Sequence, residues 1–404
     1  MNKFMKGSGS FLLGLTMLSV LIFSGCEEPG GIGGQFYESS KVQVDTVLIN
    51  GFTVEQFNAY TGGTDAAAAA LGGKVSDPVY GDFEAQTLVK PNANRQAAID
   101  RIDDSFILKL RLTVDSTYQW GNADENFGYT IYENTQFWRG ATLQSEDQVT
   151  YDEATPVATF NRLDLNNNFY EVELSEEYSD KFLEFYNDDS PENDSLWNFG
   201  EYGLSIVPDP SNNVVESFRF GQSDLIVIDA FADDTTQLIL QDWGYLYENV
   251  NRPAYTDNTV LSNSLDDVYR INLTDAINNI EPDNIVKTEL VFYEDTTQLV
   301  NTEGPLFRRP ETVLLNAQFD LGEFPEIALQ LDNAAFRGFK DDEEGSFRFD
   351  ITFYANDVIY AGFQGEDFYI YPAFRGGNLT NTLLFNEQSG ARSPRLIITS
   401  IVEE

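Results

Sequence analysis

The chain has 404 residues, with 24 Lys and Arg against 66 Asp and Glu, a formal net charge of −42, one cysteine and no histidine. That charge repels nucleic acid and anionic lipid, so no nucleic-acid partner is expected. The lack of histidine removes the usual neutral-pH general base, Ser-His-Asp and Cys-His catalysis, and the common zinc and copper sites, leaving carboxylate, Tyr, Lys or Ser-Lys chemistry; the lone cysteine excludes an intrachain disulfide.

Residues 1–25 read as a lipoprotein signal peptide. Lys3 and Lys6 give a positive start, and residues 11–23 form an apolar run broken only by Gly14, Thr16 and Ser19. At about 1.5 Å of rise per residue the run is too short for a bilayer core of roughly 30 Å, and it fits the apolar region of an export signal. Phe23, Ser24 and Gly25 then lead into Cys26. This resembles the lipobox of bacterial lipoproteins, with Phe23 where the family usually carries Leu. The resemblance implies lipidation at Cys26, which becomes the mature N-terminus and the membrane anchor. Residues 26–39, rich in Gly and acids, read as a flexible tether. Glu27 and Glu28 directly after the cysteine resemble the signal that sends Bacteroidetes lipoproteins to the cell surface, which implies an outer-membrane lipoprotein exposed there.

The body predicts short strands. Residues 106–114 alternate apolar with basic or polar side chains, as a strand with one buried face does, and residues 346–353 alternate as cleanly. Further strands are predicted at 41–49, 83–89, 129–132, 204–207, 214–220, 225–228, 237–240, 288–292, 313–315, 358–363 and 396–402, separated by turns rich in Gly, Pro, Asn and Asp. Helices are predicted at 175–186, with Ser175 as the cap, at 274–280, and over the alanine run 65–71. An aromatic content of 14% is enough to build cores, so the acidic excess does not signal disorder. The expected fold is mainly β, with two antiparallel β-sandwich domains and a few short helices. The N-terminal sandwich is expected over 40–229 and the C-terminal one over 230–404.

Several stretches resemble a family of Bacteroidetes lipoproteins catalogued as domain of unknown function 4270. One is residues 71–81, running Leu-Gly-Gly-Lys-Val-Ser-Asp-Pro-Val-Tyr-Gly, with Tyr80 in the family's aromatic place. Others are 102–110, the helix at 175–186, 202–206, 270–273 and 287–292. The resemblance spans most of the mature chain, implies a surface or outer-membrane lipoprotein, and supplies no catalytic residues. Residues 273–292 and the ending 393–399, with its Pro-Arg-Leu, are similar to jelly-roll modules of extracellular carbohydrate-associated proteins.

No catalytic residue, metal ligand or cofactor is assigned. Trp120, Trp138 and Trp197, in turn-like text, are the expected ligand-contact aromatics, because aromatic faces beside carboxylates and amides suit sugar rings. Residues 164–168 begin like a calcium loop, but Phe169 stands where the glycine belongs and Ser175 where the closing glutamate belongs, so they read as a polar turn. Residues 341–345 read as a charged hairpin loop. The expected function is a non-catalytic binding or structural module for a glycan or an envelope protein partner. The alternatives are a carboxylate-based glycan hydrolase and a structural subunit of an outer-membrane complex.

Overall fold

Period-two patterning becomes extended backbone in most of the computed structural model, which describes residues 40–49, 51–58, 60–63, 69–93, 106–122, 126–188, 190–229, 234–262, 267–280, 284–297, 314–322, 334–365, 367–373 and 381–403. The signal segment, the tether and Cys26 lie outside the described residues. In chain order the first strands are β1 (Ser40–Leu48), β2 (Thr53–Gln56), β3 (Ala70–Asp77), β4 (Gly81–Pro91), β5 (Phe106–Thr113), β6 (Trp120–Gly121), β7 (Gly128–Asn134), β8 (Tyr151–Asn161), β9 (Phe169–Glu173), β10 (Leu204–Pro208), β11 (Val214–Phe218), β12 (Asp224–Asp229) and β13 (Asp234–Val250). They continue as β14 (Asn258–Ser262), β15 (Asp267–Asn272), β16 (Ile285–Tyr293), β17 (Leu314–Phe319), β18 (Phe336–Asp341), β19 (Ser346–Asp350), β20 (Asp367–Pro372), β21 (Asn381–Phe385) and β22 (Arg395–Glu403). The helices are α1 (Glu176–Asn187), α2 (Pro191–Gly200), α3 (Thr274–Asn278) and α4 (Thr352–Ala361). The protein is mainly β, made of antiparallel sheets with few helices, in keeping with the expected sandwich class.

Strand β4 is the trunk of an eleven-stranded sheet. One edge pairs with β13 over ten partners, and the other pairs first with β3 and then with β10. Beyond β13 the order runs β12, β5, β9; beyond β10 it runs β7, β8; beyond β3 it runs β11, β6. The end of β5 returns to β11 through a Val114–Phe218 bridge, with Asp115 N–H donating to Ser217 and Arg219 N–H to Thr113. The sheet therefore curls around one aromatic-rich core that includes Phe83, Trp120, Tyr129, Phe160 and Tyr170. Helix α1 closes one side. Ser175 accepts from the Tyr178 N–H as its cap, and Tyr178, Phe182, Leu183 and Tyr186 turn inward. Burying each such side chain contributes roughly 1.5–3 kcal/mol.

The second sheet has nine strands in the order β1, β22, β16, β19, β18, β17, β20, β15, β2. Its core holds Leu290, Phe292, Phe347, Phe349, Phe368 and Ile370, covered by α3 and α4. The short pair β14–β21 lies between the two assemblies, and Leu383 of β21 belongs to the first core. Sheet membership does not follow the division expected at residues 40 and 230. β1 and β2 pair with β22 and β15 of the second sheet, while β13 belongs to the first. Strand partnership is set by which edges meet in space, which chain order does not fix.

Local patterns also yield corrections. Residues 358–363, expected as a strand, lie in and after α4. Asp350 Oδ1 accepts from the Thr352 N–H, Ile351, Tyr354, Ala355 and Val358 are buried at helical spacing, and Gly362 at φ 69° ends the turn. The strand expected over 346–353 accordingly stops at Asp350. Ala70 and Leu71 of the expected alanine helix are in β3, and residues 64–68 lie outside the described residues. Helix α2 is an element that the sequence patterns did not predict; Ser190 caps it and Pro191 fills its first turn.

Candidate functional site

A cleft of about 710 Å³ opens beside the first sheet, where residues 62–63, residues 137–142, the end of α2, Lys90 of β4 and the middle of β13 converge. A β-bulge shapes it. β13 slips register between Leu240 and Asp242 against β4, leaving Gln241 extra opposite Pro91, which has no N–H to offer. The freed Gln241 side chain reaches α2: its Oε1 accepts from Trp197 Nε1 at 3.1 Å, and its Nε2 donates to Asn198 Oδ1 at 2.5 Å.

Lys90, next to that bulge on β4, is only 5% exposed. Its ammonium donates to the carbonyls of Trp197 at 2.7 Å, Asn198 at 3.2 Å and Glu201 at 2.6 Å. It thereby donates to the orphaned carbonyl acceptors at the end of α2 and places a favourable charge there. Burial pushes this ammonium down to about 8, against the pull of Asp242 and Glu201.

The opposite wall is a backbone-to-backbone contact that only small residues allow. A side chain at Gly62 would meet Gly140 Cα at 2.7 Å and the Trp243 carbonyl at 2.8 Å. Thr61 N–H donates to Leu143, and Tyr245 N–H to Thr61, which stitches the wall to β13. Asp242 points into this junction, its Oδ2 accepting from Gly140 N–H at 2.9 Å and its Oδ1 from Trp243 N–H at 3.0 Å. Burial raises its carboxyl, opposed by those two backbone hydrogen bonds and by Lys90 and Arg139.

Aromatic side chains form the rest. Trp138 and Trp243 stand at the back, 8% and 7% exposed, while Phe137 and Phe199 present 44% and 58% of their surface to solvent. Phe220 stacks on the far face of Trp243 at 5.1 Å, and Trp138 Nε1 donates to the Tyr202 carbonyl at 2.7 Å. Two fixed indoles and two open phenyl rings, with amides at 198 and 241, make an amphipathic cleft of small-ligand size.

No family model matches the chain, and no curated protein matches it.

The three tryptophans do not have the open faces expected of them. Trp120 is fully buried in β6, its Nε1 donating to Asp77 Oδ2 at 3.0 Å with Tyr80 and Phe83 around it. Trp197 lies in α2 rather than a turn, 2% exposed and enclosed by Phe182 and Phe185. Large indoles bury most area when packed between layers, and both are placed there. Only Trp138 reaches the cleft. Residues 164–168 are a capped turn and a tight hairpin: Asp164 accepts from the Asn161 N–H, and Asn167 and Asn168 have positive φ. In the loop at 341–345, Asp341 Oδ1 accepts from the Glu343 and Glu344 N–H groups. Among the described residues no three acidic or thiol side chains gather as a metal site. Sequence reading missed Phe137, Arg139, Phe199 and Asp242. Ser190-Pro191 marked the helix that brings Phe199 into place, but no local pattern marks the bulge at Gln241.

Proposed function

We propose that this chain is a lipid-anchored envelope protein, held by Cys26, whose cleft binds a carbohydrate without cleaving it. The carrying observation is the cleft's composition. Exposed Phe137 and Phe199 stand before Trp138 and Trp243, with Asn198, Gln241 and Thr142 beside them and one carboxylate, Asp242, engaged by backbone N–H groups. Sugar rings stack on aromatic faces, and their hydroxyls pair with amides. Glycoside hydrolysis by the usual route needs two carboxyl groups flanking the bond, and this cleft supplies one. The likeness to extracellular jelly-roll modules and to the lipoprotein family supports a place at the cell surface.

A glycan array and calorimetry on the intact chain test the binding. Phe199→Ala, which leaves the buried indoles in place, should weaken any bound sugar about tenfold, in line with the loss of one stacking face. Unchanged affinity removes the cleft from the reading. For the anchor, Cys26→Ser should abolish incorporation of labelled palmitate and release the protein from the membrane fraction; unaltered partitioning rules the anchor out.

A hydrolase reading finds its support in a second cleft of about 520 Å³, lined by Glu55, Asp320, Asp367, Phe57 and Tyr369. There Arg270 holds both Glu55 and Asp367, tying β2, β15 and β20 together. Reducing-end release from a glycan, lost in Asp320→Asn, would favour that reading over binding alone.

A further inference from the structure

We infer that the aromatic cleft selects a sugar carrying an anionic group, a carboxylate or a sulfate, and that Arg139 is the residue that engages it. The inference rests on the carbohydrate reading of the cleft and names the class of sugar.

With a net charge of −42, the surface as a whole repels anions, so an anion site has to be a local exception. The cleft is one. Lys90 and Arg139 contribute two positive charges to its lining and Asp242 a single negative one. Elsewhere Arg111, Arg219, Arg252, Arg270 and Arg348 are each held by at least one carboxylate, while Arg392 and Arg395 lie over the rings of Phe385 and Tyr293. Arg139 is exposed and forms no ion pair among the described residues, although an acid lies in the same cleft. Asp242 does not capture it because its two oxygens are turned toward the N–H groups of Gly140 and Trp243.

The two cations have different parts. The Lys90 donors are taken by three carbonyls at the end of α2, so its charge adds to the field without a free N–H for a ligand. The Arg139 guanidinium keeps its planar fork, which matches a carboxylate or sulfate with two parallel hydrogen bonds. Phe137 is its near neighbour in sequence and Phe199 faces the same opening, so a ring stacked there brings an acidic substituent within reach of the fork.

The test is calorimetry on the intact chain with three oligosaccharides of equal length: an oligogalacturonate, a sulfated galactose oligomer and a neutral galactose oligomer. The expected result is at least about tenfold tighter binding of one or both acidic oligomers than of the neutral one. Arg139→Ala should erase that preference, read as the ratio of acidic to neutral affinity falling to about one. Arg139→Lys should restore it only in part, because a point charge lacks the fork. The side chain makes no hydrogen bond within the described fold, so both variants should fold. Equal affinity for acidic and neutral oligomers, or an unchanged preference in Arg139→Ala, overturns the anionic selection alone. Failure of all three sugars to bind overturns the carbohydrate reading and this inference with it.

Discussion

At the scale of single residues the first core contains a carboxyl where apolar atoms dominate. Glu216 sits in mid-β11, fully buried, between Val215 and Ser217. Tyr129 and Tyr170 donate their hydroxyls to it, and Gln119 donates its amide at 3.0 Å. Burial pushes the carboxyl up to about 7, opposed by the hydrogen bonds from Tyr170, Tyr129 and Gln119 and by the charge of Arg162. Below pH about 4.5 the folded and unfolded chains are both protonated here. Between 4.5 and 7 the folded chain keeps a proton that the unfolded chain loses, so stability falls as pH rises; above 7 the full cost of roughly 3 kcal/mol remains. Glu216→Gln is expected to flatten that decline. Melting temperatures of wild type and variant at pH 5 and pH 8 measure it, and the same pH slope in both refutes it.

At the scale of elements, α2 depends on a residue of another element. Its start is written locally in Ser190 and Pro191, but its last carbonyls are met by Lys90, about a hundred residues earlier. Lys90→Met keeps the apolar stem and removes the ammonium. It should cost roughly 2–4 kcal/mol, since buried acceptors lose a charged donor. Hydrogen exchange across 191–200 should quicken, and sugar binding should weaken as Phe199 loses its support. Wild-type protection of these amides in the variant would show that Trp197 packing alone holds the helix. The bulge at Gln241 is the second device of this scale: one extra residue redirects a side chain from a strand to the helix and opens the cleft beside it.

At the scale of the whole molecule, the two sheets are joined by polar contacts around the turn that follows β3. Asp77 accepts from the Val79 and Tyr80 N–H groups, which sets that turn. Asn249 and Tyr255 donate to the carbonyls of Tyr80 and Val79, and Arg252 pairs with buried Asp267 at 2.5 Å. Residues 77–80 thus sit at the joint between the sheets. β1 adds to the far edge of the second sheet and is exposed along most of its length, with Val42 and Val44 at 65% and 60%. A chain beginning at Ile49 should therefore still fold, because β1 buries little apolar surface and Ile49 itself stays in the core. It should self-associate, because the β22 edge loses its cover. Light scattering after gel filtration reads the outcome, and a monomer as dispersed as the full chain would contradict it.

The sequence by itself determined the chemistry the chain lacks and the character of most of its elements. No histidine means no imidazole site, and period-two patterns such as 106–114 became strands because alternation alone dictates which face is buried. It also marked α1 through Ser175 and the apolar positions that follow. Where the local pattern pointed to a strand, as in 358–363, burial against the second core decided for helix. Tertiary structure alone decided that β1 pairs with β22, that β13 belongs to the first sheet, and that Trp120 and Trp197 face inward while Phe137, Phe199 and Arg139 line a cleft. These outcomes depend on contacts between segments far apart in the chain, and local periodicity carries no record of which strand edges will meet.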